Sequence, residues 1–376
     1  MGDFYRDREQ TEAKHALLRR YLENFAHKVV RTYGSIDYVD AFCGPWEERD
    51  AEGLSDTSIA IALSNLQSVA ETLPGDRKTA IRCIFNEKNK QSFARLEAFI
   101  DSARDKYPLL EIHTLNGVFE DNVAKIKRLA TNKFMLLFVD PTGWSGFSPD
   151  ALKALSGQRN SEIMINFMRS FVERFLCPPV PEQADRLREL LGAERSQRLA
   201  GKRIPITEIE EELTRVLKED LGFRFAASSP IHNPDRNQIH FQMFYGTHHP
   251  AGMEVMRQAE FKALSQHDQS RFNKAQDPQQ PDFLAGLVDV EGPYLRERRQ
   301  HLKGLRSAIL ERLDHSSHNL KFSTLRAGIQ EQLFLRGKEI GDAVIALAAE
   351  GLVEPTWKTR GGKRPIDDDL MRRRSG

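Results

Sequence analysis

The sequence predicts an α/β protein: a doubly wound, mostly parallel sheet with a helical insertion, followed by a smaller, mainly helical domain. Three observations predict it. Short β-favouring runs alternate with amphipathic stretches from Glu12 to Phe167, the pattern of helices crossing over a parallel sheet. Phe134 to Val139 is continuously apolar and Ser161 to Phe167 repeats the pattern, as strands buried on both faces do. Beyond Pro178 the alternation gives way to charged helices and then to two strands close together in sequence.

Each element has its own signal. Leu17, Leu18, Tyr21, Leu22 and Phe25 form one stripe at helical spacing, so Glu12 to Val30 is a helix. Ile36 to Phe42 is a strand stopped by Cys43-Gly44-Pro45. Ser58 to Val69 is helical, Ala80 to Phe85 a strand ending in Asn86-Glu87, residues 89 to 104 a helix, Leu109 to Leu115 a strand and Glu120 to Ala130 a helix. The insertion, about residues 179 to 222, contains helices at Glu182 to Ala200 and Thr207 to Leu221, with the glutamates of residues 208 to 212 read as a solvated helix start. Phe223 to Ala227 and Gln238 to Tyr245, separated by a Pro230 to Asn237 loop, are a β-ribbon that gives the sheet a mixed edge. This places an α/β domain at residues 1 to 266. Residues 267 to 300 are a linker or connecting segment, because 268 to 282 have little to bury. Residues 301 to 376 form the second domain. There Leu305, Ile309 and Leu313 stack on one helix, Phe322 to Leu335 and Lys338 to Glu350 give two more, and the glycine turn Arg360-Gly361-Gly362-Lys363-Arg364 follows. Three helices and a β-wing make a winged helix.

Composition narrows the function. With 40% hydrophobic and 29% charged residues the chain can bury a real core. Lys and Arg total 55 against 54 Asp and Glu, so any nucleic-acid surface is a local patch. The tail after Trp357 is such a patch, with Arg360, Lys363 and Arg364 as phosphate contacts in the wing. No apolar run approaches the ~20 residues of a membrane span, and a soluble, cytoplasmic protein is expected. Cys43, Cys83 and Cys177 are too widely spaced for a metal motif, and His232, His240, His248 and His249 lack a metal-binding pattern. No metal is expected, and the absence of a phosphate-loop motif speaks against an ATPase.

In a doubly wound sheet ligands bind outside the carboxyl ends of the strands, so strand ends supply the candidates. Asp40 and Gly44 close the first strand, Glu87 the second, Asn116 and Gly117 the third, and Asp140-Pro141-Thr142-Gly143-Trp144 the fourth. Glu87 suits a ribose diol and Asn116 a purine edge. The alternative for Asp40 is a turn or helix cap, and for Asp140-Pro141 a strand stop.

The first-strand loop, the second acid and the fourth-strand loop together resemble those of class I S-adenosylmethionine-dependent methyltransferases. The last loop resembles the D-P-P-Y loop of amino-group methyltransferases of nucleic acids, with Thr142 at the second proline and the aromatic one position late at Trp144; Trp46 stands where the cofactor loop has its last glycine. A closer resemblance is to the bacterial three-Cys-motif partner (TcmP) proteins. It rests on the opening Thr11-Glu-Ala-Lys14-His15 helix, Tyr38-Val-Asp40-Ala-Phe42-Cys-Gly44-Pro45, Phe138-Val-Asp140-Pro141-Thr-Gly143-Trp144 and Thr247-x-His249-Pro-x-Gly252-Met253-x-x-Met256. The resemblance implies a Rossmann-like methyltransferase sheet with a C-terminal winged helix-turn-helix, S-adenosylmethionine as cofactor, and a three-cysteine radical-S-adenosylmethionine-like partner. It implies Lys14, Asp40, Phe42, Gly44, Pro45, Glu87, Asn116 and Gly117 around the cofactor and Asp140, Pro141, Thr142 and Trp144 at the reacting atoms. The expected activity is methyl transfer on or with nucleic acid; the alternative is a non-catalytic docking or sensing module for the partner.

Overall fold

The computed structural model describes residues 9–44, 57–73, 80–141, 147–157, 160–175, 183–233, 238–275, 291–316 and 319–374. The chain forms two compact units, Met1–His248 and His249–Gly376. The first is an α/β unit built on one seven-stranded sheet.

Its elements are α1 (Glu9–Tyr33), β1 (Ser35–Asp40), α2 (Ser58–Glu71), β2 (Ala80–Glu87), α3 (Lys90–Ala103), β3 (Leu110–Asn116), α4 (Phe119–Leu129), β4 (Met135–Val139), α5 (Pro149–Ser156), β5 (Ser161–Phe167), α6 (Arg169–Phe175), α7 (Gln183–Leu191), α8 (Ala193–Leu199), α9 (Ile206–Arg215), β6 (Phe225–His232) and β7 (Ile239–Thr247). The strand order is β3-β2-β1-β4-β5-β7-β6. β1 to β5 pair in parallel, while β7 is antiparallel to both neighbours. That is a mostly parallel, Rossmann-like arrangement, and the order reverses between β1 and β4, where such sheets open a crevice. β4 and β5 are buried throughout, in keeping with their apolar runs.

Helices cover both faces. The α1 stripe of Leu17, Leu18, Tyr21, Leu22 and Phe25 is wholly buried, each side chain contributing roughly 1.5–3 kcal/mol. On the opposite face Leu137, Val139, Ile163 and Ile165 of the sheet share one core with Leu190 of α7 and Leu213 of α9, so the insertion packs directly on the sheet. Side-chain caps start the helices that follow the strands: Thr57 caps α2, Asn89 caps α3, and Ser148, with Pro149 at the first position, caps α5.

Several elements depart from the sequence expectation. Gly192, at φ +84°, breaks the single helix expected over Glu182 to Ala200 into α7 and α8. The glutamates at residues 208 to 212 are not a uniformly solvated face. α9 turns Glu212 inward, where Arg195 and Arg215 neutralise it, and Glu210 pairs with Arg169 at 2.8 Å. β6 runs on through Pro230 to His232, so the expected loop is shorter; Pro230 fits because β6 is an edge strand.

The second unit contains α10 (Pro250–Ala275), α11 (Pro293–Asp314), β8 (Leu320–Lys321), α12 (Phe322–Gln332), α13 (Gly337–Ala349) and β9 (Leu370–Met371). α10 occupies residues 268–275, part of the stretch read as linker. The core joins Leu305, Ile309, Leu325, Ile340, Val344 and Trp357. Arg257 of α10 is completely buried; its guanidinium bonds Glu260 and the Gln330 carbonyl and lies 4.9 Å from the Phe334 ring centroid. β8 pairs antiparallel with β9, and Val353 bridges Arg373. Residues Thr356–Arg360, leading into the expected glycine turn, form a short 3₁₀ helix that ends at Gly361 in the left-handed region (φ +74°). Among the described residues no helix is long and apolar enough to cross a membrane.

Candidate functional site

The carboxyl ends of β1, β2 and β3 converge through one side chain. Asn86, buried next to the end of β2, donates from Nδ2 to the Ala41 carbonyl (3.1 Å) and the Gly117 carbonyl (3.2 Å), and its Oδ1 accepts from Asn122 Nδ2 (2.8 Å). The loops after β1 and β3 therefore hang on a single amide. Cys43 N donates back to the Asn86 carbonyl at 2.9 Å.

Asp40 ends β1 with no exposed surface. Ser58 Oγ donates to its Oδ2 (2.9 Å) and Phe42 N to its Oδ1 (3.2 Å). Burial raises its pKa to about 6; the Ser58 and Phe42 hydrogen bonds pull the other way, and the nearby Asp140 charge adds to the rise. Glu87 is also buried, its Oε1 accepting from Asn89 N at 2.5 Å. Gly44 lets the β1 loop close on the second acid: a Cβ there would stand 2.5 Å from Glu87 Oε2, so the carboxylate would have to move aside for any larger residue. Gly117, at φ +140°, turns the β3 loop back so that its N–H reaches the Glu87 carbonyl at 3.1 Å. Asn116 donates its amide to that same carbonyl at 2.8 Å; the N–H group expected to face a purine is used inside the protein. The Phe42 ring packs against Phe119 with centroids 5.6 Å apart.

Asp140 at the end of β4 is held on both oxygens. Lys14 Nζ of α1 contacts Oδ2 at 2.6 Å and Asn166 Nδ2 of β5 donates to Oδ1 at 2.7 Å. Lys14 thus lies at Asp140 rather than with Asp40 and Glu87, its ammonium also 5.5 Å from the Phe241 ring centroid. Asn166 Oδ1 is buried and has no hydrogen-bond partner among the described residues, and the same is true of His15 Nδ1. Burial, reinforced by Lys14 and Arg19, keeps the His15 imidazole neutral by pushing its pKa well below the ordinary histidine value. Pro141 is buried; Pro45, Trp46, Thr142, Gly143 and Trp144 lie outside the described residues.

Sequence reasoning brought out the acids and Asn116 and missed three further amides. Asn86, Asn122 and Asn166 give no spacing signal, and only the place of Asn86 beside Glu87 at a strand end could have drawn notice. In the second unit Arg360 pairs with Asp369 at 2.8 Å and Arg364 with Asp342 at 2.5 Å, while Lys363 is exposed. Among the described residues no three His, Cys, Asp or Glu side chains gather to hold a metal ion.

The chain matches no family model, and no curated protein matches it.

Proposed function

We propose that this chain is an S-adenosylmethionine-dependent methyltransferase, or a methyltransferase-like protein, acting on or with nucleic acid. The observation that carries the reading is the joint at Asn86. It draws Asp40, Gly44, Glu87, Asn116 and Gly117 together next to the reversal of strand order, with Asp140 across that reversal on β4. The antiparallel β7 beside β5 distinguishes the sheet from an all-parallel dinucleotide-binding order and supports a methyltransferase-like one.

The donor set fits the cofactor. Two buried carboxylates at adjacent strand ends match the hydroxyl and ammonium groups of an amino-acid-bearing nucleoside, and the close approach at Gly44 shapes a loop around such a ligand. S-adenosylmethionine supplies an electrophilic methyl group when bound. Asp40 and Gly44 hold its methionine end, Glu87 its ribose, and Asn116 and Gly117 line the base. Asp140, fixed by Lys14 and Asn166, sets the position from which a target nitrogen attacks in line. Isothermal titration of the full chain with S-adenosylmethionine tests this: saturable heat is expected, and its absence both alone and with the three-cysteine partner overturns the reading.

The second reading, a non-catalytic docking or sensing module for a three-cysteine radical-S-adenosylmethionine-like protein, is favoured by one specific observation. Both Asp140 oxygens are already engaged within the chain, so the carboxylate is built to hold its own surroundings. Co-expression and size exclusion separate the two: a pair that never co-elutes, beside a lone chain that methylates nucleic acid, removes the docking account. The helices α11 to α13 with β8, β9 and the Val353 bridge support a winged helix. Its paired Arg360 and Arg364 make that wing a weaker phosphate clamp than its composition suggests.

A further inference from the structure

A cleft on the same sheet edge, beside β5 and β7, has no part in the cofactor reading. Ser170, Glu173 and Arg174 form one stripe of α6, and Asn233, Gln238 and His240 oppose them from the facing ends of β6 and β7, around a space of about 350 Å³. That is the size of a small-ligand site.

The cleft connects to Asp140 through a short series of contacts. His240 Nδ1 is 3.2 Å from Ser170 Oγ, its ring is 4.4 Å from that of Phe241, and Phe241 lies under the Lys14 ammonium that holds Asp140. Gln242, two residues further along β7, is not one of the residues lining the cleft. It is 7% exposed; its Nε2 is fixed on Ser228 Oγ at 2.8 Å, and its Oε1 has no hydrogen-bond partner among the described residues.

The lining identifies the class of ligand. Glu173 and Arg174 cancel in charge, so the cleft does not select an anion. Its remaining groups are a hydroxyl, two amides and an imidazole, which both donate and accept. Such a lining matches a neutral, planar ligand with donors and acceptors along a rigid edge, and histidine is one of the rings on which unpaired bases stack. We propose that this cleft binds a single unpaired nucleobase, with its ring on His240 and its edge against Arg174 and the amides. The assignment deepens the methyl-transfer reading and rests on it for the chemistry, though not for the binding.

The test is titration calorimetry of the full chain with adenosine, cytidine, guanosine and uridine, each in the presence of saturating S-adenosylhomocysteine so that the cofactor region cannot take the nucleoside. At least one nucleoside binds saturably, and His240→Ala weakens it roughly tenfold, the loss expected for a stacking platform. Arg174→Ala, at an exposed position where folding is not at risk, weakens it severalfold, and neither variant alters the heat of S-adenosylmethionine binding. Failure of all four nucleosides to bind at millimolar concentration overturns the proposal, as does binding indifferent to both variants. If S-adenosylmethionine gives no heat while nucleoside binding still responds to the variants, the cofactor reading fails and the cleft stands.

Discussion

The two edges of the central sheet both bury carboxylates, but they surround them differently. At the amino edge, Asp37 of β1 accepts from Arg82 (3.1 Å), Asn132 Nδ2 (2.9 Å) and Asn132 N (2.8 Å). Glu162 of β5 accepts from Tyr21 and from Thr247 (2.7 Å), with Tyr245 bonded to Tyr21 at 2.9 Å. Those partners come from distant elements. At the carboxyl edge, Asp40 and Glu87 take backbone donors from their own loops, Phe42 N and Asn89 N, with Ser58 of α2 also on Asp40, and Asp140 is held by Lys14 and Asn166; among the described residues the amide oxygens of Asn166 and Gln242 have no hydrogen-bond partner. Networks between distant elements hold a fold together. Acids that also lean on their own turns, beside amide oxygens with no partner among the described residues, are what the reading proposed above assigns to a ligand.

The largest effect that would sharpen this contrast is at Asp37. Asp37→Ala removes three hydrogen bonds from the buried carboxylate, leaves Arg82 with Glu111 as its acid partner, and should cost roughly 1–3 kcal/mol, read from urea unfolding, with no effect on ligand binding beyond that of instability. A loss below about 1 kcal/mol would show the amino edge to be dispensable. Next is Asp140→Ala, which should lower turnover by roughly 10²-fold while cofactor affinity stays within a few-fold, because a positioning group is removed. Full turnover in that variant, with full cofactor binding by Asp40→Ala, would dissolve the functional side of the comparison.

The smallest effect is a pH slope. Burial raises Glu162 to about 7 and Asp37 to about 6, while the Tyr21 and Thr247 hydrogen bonds on the first, and those of Asn132 and Arg82 on the second, oppose the rise. The folded chain therefore binds more protons than the unfolded one between about pH 4 and about pH 7. The stability these groups contribute is complete below the ordinary carboxylate range and is lost as pH rises through their folded values. The urea midpoint should fall from about pH 5 to about pH 8, and Glu162→Gln should flatten part of that fall. An unchanged profile in the variant would place the slope elsewhere.

How much of this was legible follows from what a linear pattern can carry. β4 and β5 could be read because strands buried on both faces are apolar along their length, and α1 because its stripe repeats every three to four residues. Asp40, Glu87 and Asp140 could be read because strand ends are marked by acids and turns. The Lys14 to Asp140 contact joins positions 126 apart, and no periodicity links them. Lys14 entered only through a resemblance, which put it near the cofactor and not on Asp140. Gly192 lay within a charged run whose helical character concealed the break. The arginines of the wing were counted as charge, but their partners Asp342 and Asp369 became visible only once the turn was folded.

Asn86 has a mechanical consequence. Its amide fastens the β1 loop at Ala41 and the β3 loop at Gly117 to one rigid group, itself braced by Asn122. Neither loop can shift without breaking a bond that also locates the other. On the cofactor reading proposed above, the loops that would meet the two ends of the ligand therefore keep a fixed separation, which favours a molecule long enough to engage both over a fragment that reaches one.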